Sequence, residues 1–150
     1  MQGKIPKIEK PEFYLDFAFN RATKHGLTIK SKTKKKGVDK FKEVEKEKIR
    51  EISIQLNQKL ETIVKKYPNG QKTHQFYIEL MKTLTDLSEL NKSIESLGWA
   101  IKKITKLTSE HLKKMNTSTT KITIVKHKNT YYGRVSSVMK KIRGHLSNLE

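Results

Sequence analysis

The chain contains no cysteine, so it has no disulfide framework and neither a thiolate nucleophile nor a thiolate metal ligand. Prolines number only three in 150 residues, which leaves long stretches with nothing to interrupt a helix. Apolar runs are equally scarce. None approaches the roughly 20 residues that a spanning helix needs. Residues Met1 to Lys10 alternate lysine with isoleucine and lack the apolar segment of a secretory leader. Acidic residues are also in short supply: 15 stand against 33 lysines and arginines, a formal charge of +18. Together these absences predict a cytoplasmic, non-secreted protein without a membrane partner.

A charge excess of this size repels itself in a small domain unless a polyanion takes it up. Its distribution is uneven. Met1 to Lys40 carries 11 basic residues against 4 acidic ones, Ser118 to Leu149 carries 7 against none, and Phe41 to Gly98 is nearly balanced. A compositional bias toward lysine would spread evenly. Concentration at the two ends favours a binding surface, with nucleic acid as the leading partner.

The rest of the chain is organised around Ser88 to Met115, where Leu90, Ile94, Leu97, Ile101 and Ile104 alternate spacings of four and three and draw one apolar stripe. This predicts a long central helix with Trp99, the only tryptophan, at its middle and Gly98 beside it for a close approach. Pro11 and Glu12 open a short first helix, with Phe13 and Phe17 on its buried side and a stop at His25-Gly26. Residues 27–38 hold five lysines among small polar residues and predict a mobile basic loop. Asp39 is the expected N-cap of a second helix running to Lys66, with Val44, Ile49, Ile52, Leu56, Leu60 and Ile63 inward. Its interleaved charges from Glu43 to Glu51 read as a solvated, self-paired face without function. Tyr67-Pro68-Asn69-Gly70 is a turn signal, and a third helix follows from Thr73 to Asp86. The last helix starts near Thr119 or Thr120 and runs unbroken to Ser147, with Val125, Tyr132, Val135, Met139, Ile142 and Leu146 inward. The fold class is therefore all-α: an antiparallel helical bundle of four main helices plus a short N-terminal one, with residues 1–10 as a tail and 11–150 as the bundle.

Catalytic patterns are missing. A Gly-rich loop followed by Lys and Ser or Thr, needed to wrap a triphosphate, does not occur, nor does His-Glu-x-x-His or the Glu-x-x-His pairing of an iron-binding bundle. His25, His74, His111, His127 and His145 are scattered and read as structural or surface residues. No catalytic residue, no metal and no cofactor is expected in this segment. What remains is a basic surface whose affinity for phosphates falls steeply with salt. Its candidate RNA-binding residues are Arg21, Lys24, Lys30, Lys32, Lys34, Lys35, Lys36, Lys102, Lys103, Lys106, Lys121, Lys126, Lys128, Arg134, Lys140, Lys141 and Arg143. Tyr131, adjacent to an inward Tyr132 and so turned elsewhere, is the candidate for stacking on an unpaired base.

Three stretches, Pro11 to Ala22, Tyr67-Pro68 with His74 to Leu80, and Tyr132 to Val138, together resemble the N-terminal helical domain of the nucleolar GTP-binding protein (Nog) family. Ser96-Leu97-Gly98-Trp99-Ala100 resembles that domain's central helix, and the whole is more similar to archaeal than to eukaryotic relatives. The resemblance implies the N-terminal bundle of an Obg-like ribosome-assembly GTPase that contacts large-subunit ribosomal RNA. It further implies that GTP and magnesium belong to a following domain lying beyond Glu150, and a nucleolar location if the source is a eukaryote. Further expected partners are ribosomal proteins or assembly factors, with the chain itself a monomer. Departures are Tyr67, where the family has phenylalanine, and the lysine-richness of Lys30 to Lys36. Gly133-Arg134 is the motif whose glycine would admit a phosphate for the arginine to hold. The rival readings are a protein-interaction module whose lysines only solvate it, and membrane-surface attachment, which would take apolar faces that the core needs.

Charge reversal of Lys34, Lys35 and Lys36 together is expected to weaken RNA binding while the far-ultraviolet circular dichroism stays native. Unchanged affinity would remove this segment from the interface.

Overall fold

The computed structural model describes residues 7–67 and 87–150, and all regular structure among them is helical. The helices are α1 (Pro11–Lys32), α2 (Gly37–Lys66), α3 (Leu87–Asn116), α4 (Lys121–Lys141) and α5 (Arg143–Asn148). Four are long, and the short one closes the C-terminal end of the described chain instead of opening the N-terminal end. The expected Asn69-Gly70 turn and the helix from Thr73 to Asp86 lie outside the described residues.

Helix α1 begins as its sequence dictates, with Pro11 in the first turn and Glu12 near the positive end of the dipole. It does not stop at His25-Gly26. Gly26 is buried against α2, where an added Cβ would lie 2.6 Å from Cε of Lys48, so the glycine serves a close helix crossing inside α1. The predicted loop over 27–38 shrinks accordingly to Thr33–Lys36, and Lys30 and Lys32 ride on the last helical turn, where cations suit the dipole. The buried side of α1 is Tyr14, Leu15, Ala18 and Ala22, whereas Phe13 is 49% exposed and Phe17 is half-buried. Small residues at 18, 22 and 26 bring the two backbones together. Gly37, at φ +62°, turns the chain into α2, a conformation that costs glycine little. Lys36 therefore takes the N-cap position and Asp39 sits in the first turn, not at the cap.

The inward stripes of α2 and α3 are close to those expected. Ile49, Ile52, Leu56, Leu60 and Ile63 are buried from α2, and Leu90, Leu97 and Ile104 from α3, with Ile94 and Ile101 packed at the edge. Gly98, by contrast, admits no close neighbour: a Cβ there would meet nothing within 4 Å. Thr120 caps α4 by accepting a hydrogen bond from the Thr123 backbone N–H at 3.2 Å. The inward face of α4 keeps the expected Val135 and Met139, with Ile142 and Leu146 beyond it, but in its first half Ile124 and Tyr131 are buried in place of Val125 and Tyr132, and Val138 joins them. Helix α4 ends at Lys141 and α5 restarts at Arg143, so the last helix is broken at Ile142, whose ψ of 11° leaves the helical range.

Polar side chains fix how the helices meet. His25 Nε2 lies 3.2 Å from Glu47 Oε1 and the Thr33 hydroxyl donates to Glu43, both across α1 and α2. Lys42 Nζ donates to the Asn116 carbonyl at 3.1 Å, and Asn57 donates to Thr105 Oγ1 at 3.1 Å, across α2 and α3. Across α3 and the final segment, Ser93 Oγ meets His145 Nδ1 at 3.1 Å and Thr108 meets Tyr131 Oη at 2.7 Å. Within each set, residue numbers rise along one helix as they fall along the other. Tyr67 donates its hydroxyl to the Leu149 carbonyl.

The buried centre holds a small polar network. Thr108 Oγ1 donates to the Ile104 carbonyl at 2.7 Å; its single proton being used, Tyr131 is the donor in the contact between the two hydroxyls. Burial raises the Tyr131 hydroxyl far above the ordinary tyrosine range, against the lowering effect of the Thr108 bond. His111 packs beside this ring and gives its Nδ1–H to the Leu107 carbonyl at 2.8 Å. Tyr131→Phe is expected to cost about 1 kcal/mol, the net value of one such bond, and Tyr131→Ala about 3–5 kcal/mol through the cavity it leaves. Urea unfolding measures both, and losses under about 0.5 kcal/mol for either would contradict this packing.

Candidate nucleic-acid interface

Tyr131 has no accessible surface, so the proposed stacking residue is a core residue and is corrected here. The cause is that the first half of α4 buries Ile124 and Tyr131, one residue ahead of expectation, and places Tyr132 at the edge of the core. Tyr132 is half-buried, its ring stacked on Phe19 at 4.9 Å between centroids. Burial, with Glu45 nearby, pushes its hydroxyl up to about 12. Neither tyrosine offers a free face to a base.

The cations fall into separate groups. One group gathers at one end of the helices, where Lys30 at the end of α1 and Lys121 at the start of α4 border the same cavity, with Lys32 and Lys34 to Lys36 following Lys30 along the chain. Lys30, Lys40, Lys48 and Lys121 line one cavity of about 390 Å³ with Leu27 and Phe41, and Lys121 Nζ lies 5.6 Å from the Phe41 ring centroid. Lys42 and Lys46 extend this end toward α3 through Asn116. Burial lowers the Lys46 pKa first, and the charges of Arg50, Lys35 and Lys42 lower it further, a direct sign of crowded positive charge. The sequence reading missed Lys40, Lys42 and Lys46 because they stand among acids that looked self-paired. Those acids do pair along α2, Glu45 with Lys48 Nζ at 3.2 Å and Glu47 with Arg50, but Glu45 is buried rather than solvated and Glu47 also reaches His25 of α1. The Glu47 carboxyl stays below the ordinary value although burial opposes it, because these partners outweigh burial.

A second group lies along α3 and α4. Lys102 and Lys106 are exposed, while Lys103, Arg134 and Lys141 border one groove together with Trp99. Gly133 leaves its wall open, since a Cβ there would meet nothing within 4 Å; it marks an open surface, not a packed crossing. Elsewhere, Arg21 and Lys59 stand over the Phe17 ring at 5.3 and 4.3 Å, and Lys24 is exposed on the same helix. Lys126 and Lys128 lie on α4, the second half-buried. Arg143 is already engaged by Glu12, whose carboxyl it draws below the ordinary range, with Lys140 adding its charge. The candidate list thus resolves into a basic end, a groove, an isolated α1 face and one residue spoken for.

Among the described residues, no three His, Asp or Glu side chains converge to hold a metal ion, and no helix is long and apolar enough to cross a membrane. Comparison with known families gives the decisive observation. Residues 3–150 match the NOG1 N-terminal helical domain. The chain belongs to the NOG1 family. That family comprises ribosome-assembly GTPases, and the match covers its helical domain. No curated protein matches the chain in sequence. Of the stretches that carry the NOG1 resemblance, Pro11 to Ala22 forms the first half of α1 and Tyr132 to Val138 the second half of α4, while His74 to Leu80 lies outside the described residues. The two described stretches touch at Phe19 and Tyr132.

His127 sits on α4 where burial first, then Lys114, His111 and Lys126, push its pKa below the ordinary 6.5. The unfolded chain therefore takes up this proton before the folded one as pH falls. Stability is complete above about 6.5 and declines as pH drops through the folded value, and Glu47 adds a loss of the same sign at lower pH. Urea midpoints across this window should fall with pH, and His127→Gln should flatten the upper part. A midpoint that rises on acidification would refute the assignment.

Proposed function

We propose that this domain binds ribosomal RNA of the large subunit and anchors an assembly GTPase there. The carrying observation is the meeting of the connector lysines, Lys121, Lys42 and Lys46 at one end of the helices, on a chain with 33 basic and 15 acidic residues. Such an end neutralises several phosphates at once and releases their counterions. Membership of a family of ribosome-assembly GTPases supports ribosomal RNA as that polyanion. The rise-and-fall of paired residue numbers between neighbouring helices supports an antiparallel bundle for the platform. In this reading the domain acts as a monomer in the cytoplasm or nucleolus, and GTP and magnesium are handled by another domain. The bundle itself performs no chemistry.

One observation favours the rival class. Leu27 and Ile122, 63% and 82% exposed, flank the same basic end and would suit a protein partner such as a ribosomal protein. Salt separates the two readings. Binding to large-subunit RNA fragments should weaken along a straight line of log affinity against log salt, with a slope of about −0.7 to −0.9 per phosphate contacted. An unrelated basic protein of equal charge is the control. Affinity that barely changes with salt, or never exceeds the control on any fragment, would overturn RNA anchoring in favour of the protein-binding reading.

A further inference from the structure

The groove between α3 and α4 has a composition different from that of the basic end. Trp99 projects from α3 off the stripe that Leu97, Ala100 and Ile104 bury, and it remains 42% exposed. The indole there keeps an apolar face, amid cations, available to a partner. Around it stand Lys103 one turn along α3, and Arg134 and Lys141 on α4, with Lys141 Nζ 5.9 Å from the indole centroid. Among the described residues, none of these three cations has a carboxylate within ion-pairing distance, and no acidic residue borders the groove. Gly133 keeps the wall beside the arginine free of side chain, and Asn129 places an amide at the rim. The space is about 450 Å³, within the roughly 300–1,000 Å³ of small-ligand sites.

We propose that this groove takes one unpaired nucleotide of a bound RNA, its base stacked on Trp99 and its flanking phosphates held by Lys103, Arg134 and Lys141. The inference rests on the RNA-binding reading above and adds to it a site for single strands. Duplex RNA keeps its bases stacked inside and offers this indole nothing. A splayed nucleotide offers a π-face to the ring and phosphates to the cations, and the flat guanidinium of Arg134 can bind two phosphate oxygens. A protein segment would leave three unpaired cations facing it unless it were acidic.

Trp99 is the sole tryptophan, so emission excited at the red edge, where the five tyrosines do not absorb, reports on this groove alone. The experiment titrates the 150-residue chain with a single-stranded RNA hexamer and with a blunt RNA duplex of equal phosphate count, following tryptophan emission and, separately, anisotropy of labelled RNA. The hexamer should quench the emission and the duplex should not. Trp99→Ala should lose roughly 5- to 150-fold of hexamer affinity with duplex affinity unchanged, Trp99→Phe should recover most of that loss, and Arg134→Glu should weaken the hexamer as well. RNA binding in the anisotropy channel without quenching, or hexamer affinity untouched by Trp99→Ala, would overturn the groove while leaving the basic end as the anchor. Absence of any RNA binding would remove the RNA reading and the groove with it. Quenching by an acidic peptide in place of the hexamer would reassign the groove to a protein.

Discussion

Every other contact depends on the apolar stripe of α2. Ile49, Ile52, Leu56, Leu60 and Ile63 are sealed from water, and α1, α3 and α4 all close on that helix. Fully burying a side chain of this size contributes about 1.5–3 kcal/mol. Its packing against α1 and against α3 is the most extensive between any two of the described helices, and its length of 30 residues lets one stripe serve them at successive levels. Loss of this stripe would leave α1 and α3 without a common surface.

The stripe works against the molecule's own field. With a formal charge of +18, the folded state brings together cations that the unfolded chain keeps apart. The acids soften this locally. Glu45 pairs with Lys48 and Glu47 with Arg50 along α2 itself, Glu47 also meets His25 across to α1, and Glu12 engages Arg143 where α1 meets the C-terminal segment. Among the described residues, Lys103, Arg134 and Lys141 of the α3–α4 groove have no carboxylate within ion-pairing distance, whereas Asp39 and Glu43 stand with Lys35, Lys42 and Lys46 beside the connector.

Much of this was legible in the sequence and some was not, for reasons that differ by element. The stripes of α2 and α3 were clear because aliphatic side chains at helical spacing have only one use. The end of α1 was misread because His-Gly taken alone reads as a stop signal, whereas Gly26 lies buried beneath the Lys48 side chain of α2 and the helix continues past it. Adjacent Tyr131 and Tyr132 defeated the assignment on α4, since period alone does not say which of two neighbouring aromatics a Thr108 hydroxyl will claim. Ile142 carried no breaking residue to mark the interruption. Trp99 was noticed yet assigned to the middle of a buried helix. Its position off the stripe of Leu90, Leu97 and Ile104 was the signal that it faced water. The scattered basic residues were found individually, but only the three-dimensional arrangement shows that the connector and the start of α4 share one end.

The continuation of α1 to Lys32 changes the character of the basic arm. A flexible loop pays for its own ordering whenever it meets a partner, at about 1–2 kcal/mol per residue fixed. Here Lys30 and Lys32 hang from a finished helix, and the short connector is pinned by the Thr33 hydroxyl on Glu43 and the turn at Gly37. The backbone beneath these charges is thus already ordered, and a polyanion that docks there meets lysine stems that adjust over a fixed base, so contact costs side-chain freedom and little of the chain's.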